Sequence, residues 1–356
     1  MSKHRMYSVP YNGSNPDWFV NEVLKRQKYI DHVFCELPLS EMMSHNRYQF
    51  NDNNGDGLQF VSNNINRSNY IMNCISFLRA SEGKFRRICT VNAMYYKFDS
   101  IQDLLNFVLK ICKSVEEYRI DGLILTDYRI ALLVRKFLPS IIIHTSCNGY
   151  HWHLKQMEIW RDKIGVEYFN PPREILRTPS KLKEMKEAGF KLKCIVNEGC
   201  LVGCPNSFCH QLGTALNCYE GGKCIQNGLG DIFRGNWIIP RWQKYYDKYV
   251  DIYKIAGRNS AVMYPFFVLD AFIHERNDLV LSDIMMSGCI AEAQRHLPKE
   301  VLSKITLNKV PDKLLTCECR ECKKCGLCDK LANALIPVAY RNSFVNEQFV
   351  LETKKV

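Results

Sequence analysis

A chain of 356 residues is long enough to bury the core of one barrel-sized domain with an appendage, or of two smaller domains. Its formal net charge of +11 is dispersed, which is compatible with an RNA or another polyanion and equally with a lysine-rich solvated surface. No uncharged apolar run approaches the ~20 residues that a membrane span requires, and no secretory signal is visible. We therefore expect a cytoplasmic protein with no membrane span, whose 17 cysteines are thiols or metal ligands rather than a disulfide framework.

Strand-like and helical segments alternate along the chain. The strand-like segments are Met6–Pro10, His32–Leu37, Arg87–Ala93, Gly122–Thr126, Ile141–Thr145, Glu167–Asn170, Leu192–Val196 and Ile252–Ile255. Helical spacing of apolar residues is found in Asp17–Lys28, Ser68–Ala80, Ile101–Tyr118, Tyr128–Phe137, His153–Lys163, Ser180–Ala188, Arg241–Val250 and Ala261–Ile273. Several strands are apolar throughout, as parallel strands are when helices cover both faces of their sheet. This alternation predicts an α/β fold, a (β/α)8 TIM barrel, and an open doubly wound sheet is the alternative.

The predicted barrel domain spans residues 1–277 and carries a cysteine-bearing insertion at 200–240. A helical and cysteine-rich C-terminal segment follows at 278–356. In barrels of this kind the active residues lie where strands end and loops begin. The predicted strand ends are polar or charged in nearly every case: Asn12, Glu36, Asn92, Asp127, Ser146, Asn148, Arg173, Glu174, Asn197, Glu198, Cys200 and Arg258. This density of polar strand ends predicts a pocket at the barrel mouth.

The first of two cysteine patches follows directly on the seventh predicted strand. Cys200 and Cys204 would lie at the barrel mouth, and Cys218 and Cys224 are near enough in the same insertion to complete a set of four. Thiolates are soft ligands, and four of them suit an iron–sulfur cluster or a structural zinc ion. We predict that this set binds an iron–sulfur cluster of the 4Fe–4S type.

The second patch lies in the run CECRECKKCGLC near the C-terminus. Cys319, Cys322, Cys325 and Cys328 recur there with two residues between neighbours. This spacing is similar to ferredoxin-type ligation, whereas zinc ribbons usually separate two cysteine pairs by a longer loop. These four residues are predicted to be metal ligands, for a second cluster or for zinc. Whether the two patches serve one metal centre or two stays open.

Several segments, taken in order, resemble the collagenase-like peptidase family U32. The similar segments are DGLILTDYRIALLVRKFLPSIIIHTSCNGY, FNPPREI, NEGCLVGCPNSFCHQL, WIIPRW and YKIAGR, which together span about residues 85 to 275. In the first segment Asp127 ends a strand, the second carries Arg173 and Glu174, and the last ends in Arg258. The third segment carries Glu198 and the first cysteine patch.

The resemblance implies a barrel with a cysteine-bound iron–sulfur cluster near its mouth. Several members of the family are oxygen-independent hydroxylation factors that act on RNA bases or on quinone precursors. The leading hypothesis is therefore a redox enzyme that modifies an RNA base or a small ring compound, with an electron donor or a related-family protein as partner. Arg173 and Arg258 would hold an anionic group, Glu174 or Glu198 would manage protons, and Asp127 completes the predicted catalytic set.

Two other functions stay open. In the first, the protein is a non-catalytic binding or assembly protein, in which the metal-bound cysteines only staple the fold. The second is a peptidase, which the family's name favours. The sequence carries neither the H-E-x-x-H motif of zinc proteases nor the G-x-S-x-G turn of serine hydrolases.

Overall fold

The computed structural model describes residues 4–39, 67–215, 224–258, 260–315, 317–318 and 321–341. Within these ranges seven parallel strands form one curled sheet, in the spatial order β5–β4–β3–β2–β1–β7–β6. The strands are β1 (Met6–Pro10), β2 (Ile30–Glu36), β3 (Arg87–Val91), β4 (Gly122–Leu125), β5 (Ile142–Thr145), β6 (Lys193–Ile195) and β7 (Ile252–Lys254). Every residue of β3 and of β4 is buried, as the apolar composition of these strands predicts.

Helices cover the sheet in the predicted rhythm. Through the barrel region they are Pro16–Lys25, Arg67–Ala80, Ile101–Glu117, Tyr128–Phe137, Leu154–Ile164, Pro179–Glu187, Ser207–Ala215, Gln243–Tyr246 and Tyr264–Ile273. Beyond it they are Leu281–Ile284, Gly288–His296, Lys299–Leu302, Cys322–Cys325, Leu327–Leu335 and Val338–Arg341. Turns of 3-10 helix occupy Gln27–Tyr29, Cys147–Gly149, Arg173–Arg177, Leu229–Ile232, Pro240–Trp242, Leu307–Lys309 and Asp312–Leu314. None of the helices in the described ranges combines the length and the apolar character needed to cross a membrane.

Residues 167–170, the sixth predicted strand, lie between the two edge strands of the sheet. Tyr168 forms an isolated parallel bridge to His144 of β5, and Phe169 forms one to Leu192, next to β6. The segment ends at two prolines, Pro171 and Pro172, which have no backbone N–H to continue a ladder. The described chain therefore has a TIM-like α/β fold whose regular sheet contains seven strands, with this segment attached by bridges.

A layer of buried polar side chains fills the inside of the curled sheet. Ser8, His32, His144 and Lys193 are all fully buried and come from four different strands. The Ser8 hydroxyl lies 2.8 Å from Nε2 of His32, and Nζ of Lys193 lies 2.9 Å from Nδ1 of His144. Burial lowers the pKa of His32 to about 3 and holds the pKa values of His144 and Lys193 well below their ordinary values. Burial therefore favours the neutral forms of these three side chains.

The C-terminal segment packs directly on the barrel through one buried arginine. Arg177 donates from Nη1 to the Leu314 carbonyl at 2.7 Å and from Nε to the Gly235 carbonyl at 3.0 Å. Its guanidinium lies over the rings of Trp237 and Trp242, 5.0 and 5.5 Å from their centroids. The predicted domain boundary at residues 277 and 278 stays a prediction, and backbone and side-chain hydrogen bonds connect the two sides of it.

Candidate active site and metal centre

An ion pair between Arg173 and Glu198 lies at the mouth, beyond the C-terminal end of β6. Nε of Arg173 is 2.7 Å from Oε2 of Glu198, and each side chain is only 8% exposed. Nη2 of the same arginine donates to Oδ1 of Asn148 at 2.9 Å and to Oε1 of Gln211 at 3.3 Å. Burial lowers the pKa of Arg173, but Cys147, Glu198 and Cys200 raise it by more. The arginine therefore stays charged and is electrostatically coupled to one of the predicted cysteine ligands.

A second ion pair at the mouth joins Arg258 to Glu36. Nη1 of Arg258 lies 3.1 Å from Oε1 of Glu36 and donates to Oγ1 of Thr90 at 2.8 Å. Glu36 is almost completely buried, with 1% of its side chain exposed, so it needs this guanidinium as a partner. The structure thus places the Arg258 side chain next to residues at the ends of β2 and β3, and its predicted role stays a prediction.

Lys254 of β7 is a functional candidate that the sequence analysis did not single out. Its Nζ lies 4.5 Å from the centroid of the Phe34 ring, and the side chain is buried. Its pKa is lowered to about 8, mainly by burial; Cys147 and Glu198 raise this pKa, and Arg258 and Arg173 lower it. The amine therefore interacts electrostatically with both ion pairs at the mouth, and it can exchange a proton near neutral pH. The sequence offers one signal for this residue, which is a lysine within a strand that is otherwise predicted to be apolar.

Two predicted catalytic residues lie elsewhere. Asp127 caps the helix Tyr128–Phe137, because its carboxylate accepts from the Arg129 backbone N–H at 2.8 Å and pairs with the Arg129 guanidinium at 2.6 Å. Glu174 lines an open surface cavity of about 540 Å³. The other residues lining that cavity are Trp152, Thr178, Lys181 and Glu318. The described geometry thus groups Arg173, Glu198 and Arg258 around Lys254 and gives Asp127 and Glu174 other contacts; their catalytic roles stay predictions.

The backbone around Cys200 is held by residues from far down the chain. Gly199 donates to the Met286 carbonyl at 2.7 Å, and the Cys289 N–H donates to the Gly199 carbonyl at 2.9 Å. The two segments approach so closely that a Cβ on Gly199 would lie 2.5 Å from the Ser287 carbonyl oxygen. A Cβ on Gly288, whose φ is +55°, would likewise lie against the backbone of residues 199 and 200. This backbone pairing places Cys289 at the mouth.

Four cysteines are assembled at the mouth by these contacts: Cys200, Cys204, Cys224 and Cys289. Sγ of Cys289 donates to the Cys224 carbonyl at 3.1 Å. Burial raises the pKa of Cys224 to about 11, with Glu292 and Cys204 adding to the effect. The pKa of Cys289 is raised by burial, and Cys224 and Cys200 contribute. Pairwise electrostatic interactions therefore connect Cys204 to Cys224, Cys224 to Cys289 and Cys289 to Cys200.

The predicted ligand sets stay predictions. Cys200, Cys204 and Cys224 lie near one another, Cys218 falls outside the described residues, and Cys289 was not predicted. Among the residues that the structure describes, no three His, Cys, Asp or Glu side chains are already grouped so that they could hold a metal ion. In the second patch Cys319 is also outside the described residues. The other three predicted ligands share a pocket with a further cysteine: the thiols that line it are Cys317, Cys322, Cys325 and Cys328.

Comparison with known proteins finds similarity to one peptidase family. Residues 59–202 match the model of peptidase family U32. This match covers less than half of the chain and agrees with the resemblance of its sequence to that family. A relative by sequence, the uncharacterized protease MJ1657 of Methanocaldococcus jannaschii, is 27% identical over 249 residues, which cover 66% of this chain and 72% of the relative.

Two solved structures are similar to this chain at low identity. The U32 peptidase Mk0906 has 8% identity and a TM-score of 0.47, over 72% of this chain and 95% of that structure. The 2,3-dimethylmalate lyase, a member of the PEP mutase/isocitrate lyase superfamily, has 12% identity and a TM-score of 0.36, over 91% of this chain and 93% of that structure.

Proposed function

We propose that this protein is an iron–sulfur-dependent redox enzyme that modifies an RNA base or a small ring compound at the barrel mouth, by oxygen-independent hydroxylation or a related reaction. The observation that carries the proposal is the convergence of Cys200, Cys204, Cys224 and Cys289 beside the Arg173–Glu198 ion pair. The segment 167–170 would act as the eighth strand of a closed barrel around this mouth.

The donor set fits an iron–sulfur cluster. Electrostatic interactions link Cys224 to Cys204, and Cys289 to both Cys224 and Cys200, and four thiolates are the usual ligands of a 4Fe–4S cluster. The Arg173 guanidinium, coupled to Cys200, would offset part of the negative charge that accumulates on deprotonation. When bound, such a cluster supplies one-electron transfer, or a Lewis-acidic iron that polarises a substrate atom.

The remaining mouth residues would bind and orient an anionic substrate. Arg173 and Arg258 each present a guanidinium whose carboxylate partner, Glu198 or Glu36, keeps it in place. Lys254, with its pKa lowered to about 8, is suited to take a proton from the substrate or return one. Glu198 is suited to accept a proton when the Arg173 guanidinium pairs with the substrate.

The cofactor is tested with anaerobically purified protein. Iron and acid-labile sulfide should be present, with absorption at ~400 nm from thiolate-to-iron charge transfer. Cys289→Ala should lose iron and colour. The matched control is Cys112→Ala, which removes a buried thiol from the helix Ile101–Glu117, away from the mouth. A colourless parent protein without iron or sulfide would refute the cofactor.

A peptidase is the second candidate, favoured by the name of the family and of its relative MJ1657. One variant separates it from the redox enzyme and from a metal-stapled assembly protein. Arg173→Gln should retain iron but lose the modified product, which mass spectrometry of nucleosides and small ring compounds from complemented cells would detect. Proteolysis of unfolded casein by the parent protein, lost in Arg173→Gln, would favour the peptidase. Intact cellular function in this variant, with loss of folding in Cys289→Ala, would favour the assembly protein.

A further inference from the structure

The C-terminal cysteines form a pocket of their own, apart from the mouth. Its volume is about 10 Å³. The residues lining it are Leu314, Cys317, Glu321, Cys322, Cys325, Leu327 and Cys328. Cys322 and Cys325 lie on one helical turn, and Gly326, at φ +61°, reverses the chain so that the next helix returns Cys328 to the same pocket. Four cysteines and two leucines therefore line one pocket.

Two arginines, the buried Arg177 and the partly buried Arg234, lie next to this pocket. Nη1 of Arg177, which is buried, donates at 2.7 Å to the carbonyl of Leu314, a residue that lines the pocket. Nη2 of Arg234 lies 2.5 Å from Oδ2 of Asp329, the residue after Cys328. Positive charge that is buried next to thiols stabilises their deprotonated form. The surroundings of this pocket therefore suit an anionic, four-thiolate group.

We propose that Cys317, Cys322, Cys325 and Cys328 form a second, four-thiolate metal centre, which binds an iron–sulfur cluster or a zinc ion. Both groups are held by four thiolates, so the same pocket chemistry serves either. Binding releases the thiol protons to solvent, and the two arginines offset part of the remaining negative charge. The set differs from the regularly spaced one that the sequence favours, because Cys317 rather than Cys319 lines the described pocket.

This centre also braces the loop that carries a cysteine of the mouth. Arg234 connects Asp329, next to Cys328, to Asp231, with N–O distances of 2.5 and 2.7 Å. Oδ2 of Asp231 in turn accepts from the backbone N–H groups of Gln226 and Asn227 at 2.7 and 2.8 Å, two and three residues after Cys224. The second centre therefore fixes the end of a chain of contacts that leads to Cys224. This part of the inference rests on the proposed mouth cluster.

The first test measures protection of the thiols in the full-length, anaerobically purified parent protein. Alkylation followed by peptide mass spectrometry should label the exposed Cys209 rapidly. Cys317, Cys322, Cys325 and Cys328 should react only after treatment with a chelator or an oxidant that releases the metal. Iron, zinc and sulfide released together with this reactivity identify the metal. If all four thiols react as fast as Cys209 in the untreated protein, the second centre does not exist.

The second test compares variants by metal content per chain. Cys322→Ala/Cys325→Ala should lose the metal of the second centre, whereas Cys289→Ala should keep it and Cys112→Ala should keep everything. A Cys322→Ala/Cys325→Ala protein with the parent's metal content would overturn the proposal.

The brace is tested separately with Arg234→Gln, which keeps every cysteine. It should lose mouth iron to a chelator several-fold faster than the parent protein, while Cys317 and Cys328 stay protected; an unchanged rate would refute the brace. If the parent has no mouth iron, the mouth proposal fails, and the alkylation result still decides the second centre.

Discussion

Three histidines buried inside the fold predict a steep loss of stability in mild acid. His32, His144 and His151 are all fully buried. Burial lowers the pKa of His32 to about 3 and of His151 to about 4, and it holds the pKa of His144 well below its ordinary value. In each case the folded pKa is lower than the unfolded value, so the unfolded chain binds more protons. The stabilising contribution is therefore complete above about pH 6.5 and is lost as the pH falls toward the folded pKa values.

The size of the effect follows from proton linkage. Each histidine contributes about 1.4 kcal/mol per pH unit once the pH is below its unfolded pKa. Three histidines acting together give about 4 kcal/mol per pH unit, so two units of acidification remove a large part of the 5–15 kcal/mol that is typical of a folded domain, an order-of-magnitude comparison. Burial raises the pKa of Asp31, but its contact with His32 and the charge of Arg86 lower this pKa by more. Protonation of paired carboxylates such as Asp31 therefore adds to the loss of stability at lower pH.

His151 permits a clean measurement of one part of this slope. Both of its ring nitrogens are buried without a hydrogen-bond partner in the described structure, and the ring packs against Trp160 and Phe169. His151→Leu keeps a side chain of similar size and removes one titrating group. Urea unfolding from pH 7.5 to pH 4.5 should show a slope that is shallower by about 1.4 kcal/mol per pH unit. The exposed His153, replaced in the same way, should leave the slope as it is. An equal slope in the parent and in His151→Leu would refute the reasoning.

Three further predictions concern the mouth. Glu198→Gln should destabilise the protein by about 3–5 kcal/mol in urea unfolding, because it leaves the buried Arg173 without its charged partner; a loss within the error of the measurement would contradict the buried pair. Gly288→Ala should reduce iron incorporation, because the added Cβ would meet the backbone of residues 199 and 200. The control Gly203→Ala should not reduce it, since Gly203 has a similar φ and open space around it. Equal iron content in the two variants would count against the close approach. The side-chain NMR signal that disappears in Lys254→Arg should titrate with a midpoint near pH 8, and a midpoint above pH 10 would exclude its role in proton transfer.

Local patterns predicted the framework well, because strand and helix periodicity is set by residues that are near in sequence. The helix Tyr128–Phe137 has its predicted bounds, and β4 differs by one residue. The helix predicted for Arg241–Val250 was wrong in extent. Pro240 begins a 3-10 turn there and only Gln243–Tyr246 is α-helical, because the chain must turn to bury Tyr246 against the Leu176 carbonyl.

The candidate site was less predictable, because part of it depends on pairing across long separations in sequence. Cys200 and Cys204 were recognisable from their position after a strand. Cys289 stands alone in its stretch of sequence, and only the hydrogen bonds from residues 286–289 to residues 197–199 bring it to the mouth. Lys254 resembles any strand residue until its neighbours in space are known, since its lowered pKa arises from burial and from charges on other strands.

The pairing of residues 286–289 with residues 197–199 also fixes an order of events during biosynthesis. The segment around Cys200 leaves the ribosome well before its partner has been made, so its backbone N–H and C=O groups stay hydrated and its loop stays unclosed while most of the chain already exists. Only when Gly288 and Cys289 emerge can Gly199 make its two backbone hydrogen bonds and Cys224 gain its contact with the Cys289 thiol. The mouth is therefore among the last parts of the molecule to mature, and a chain that stops short of Gly288 would have a folded barrel wall around an unfinished entrance.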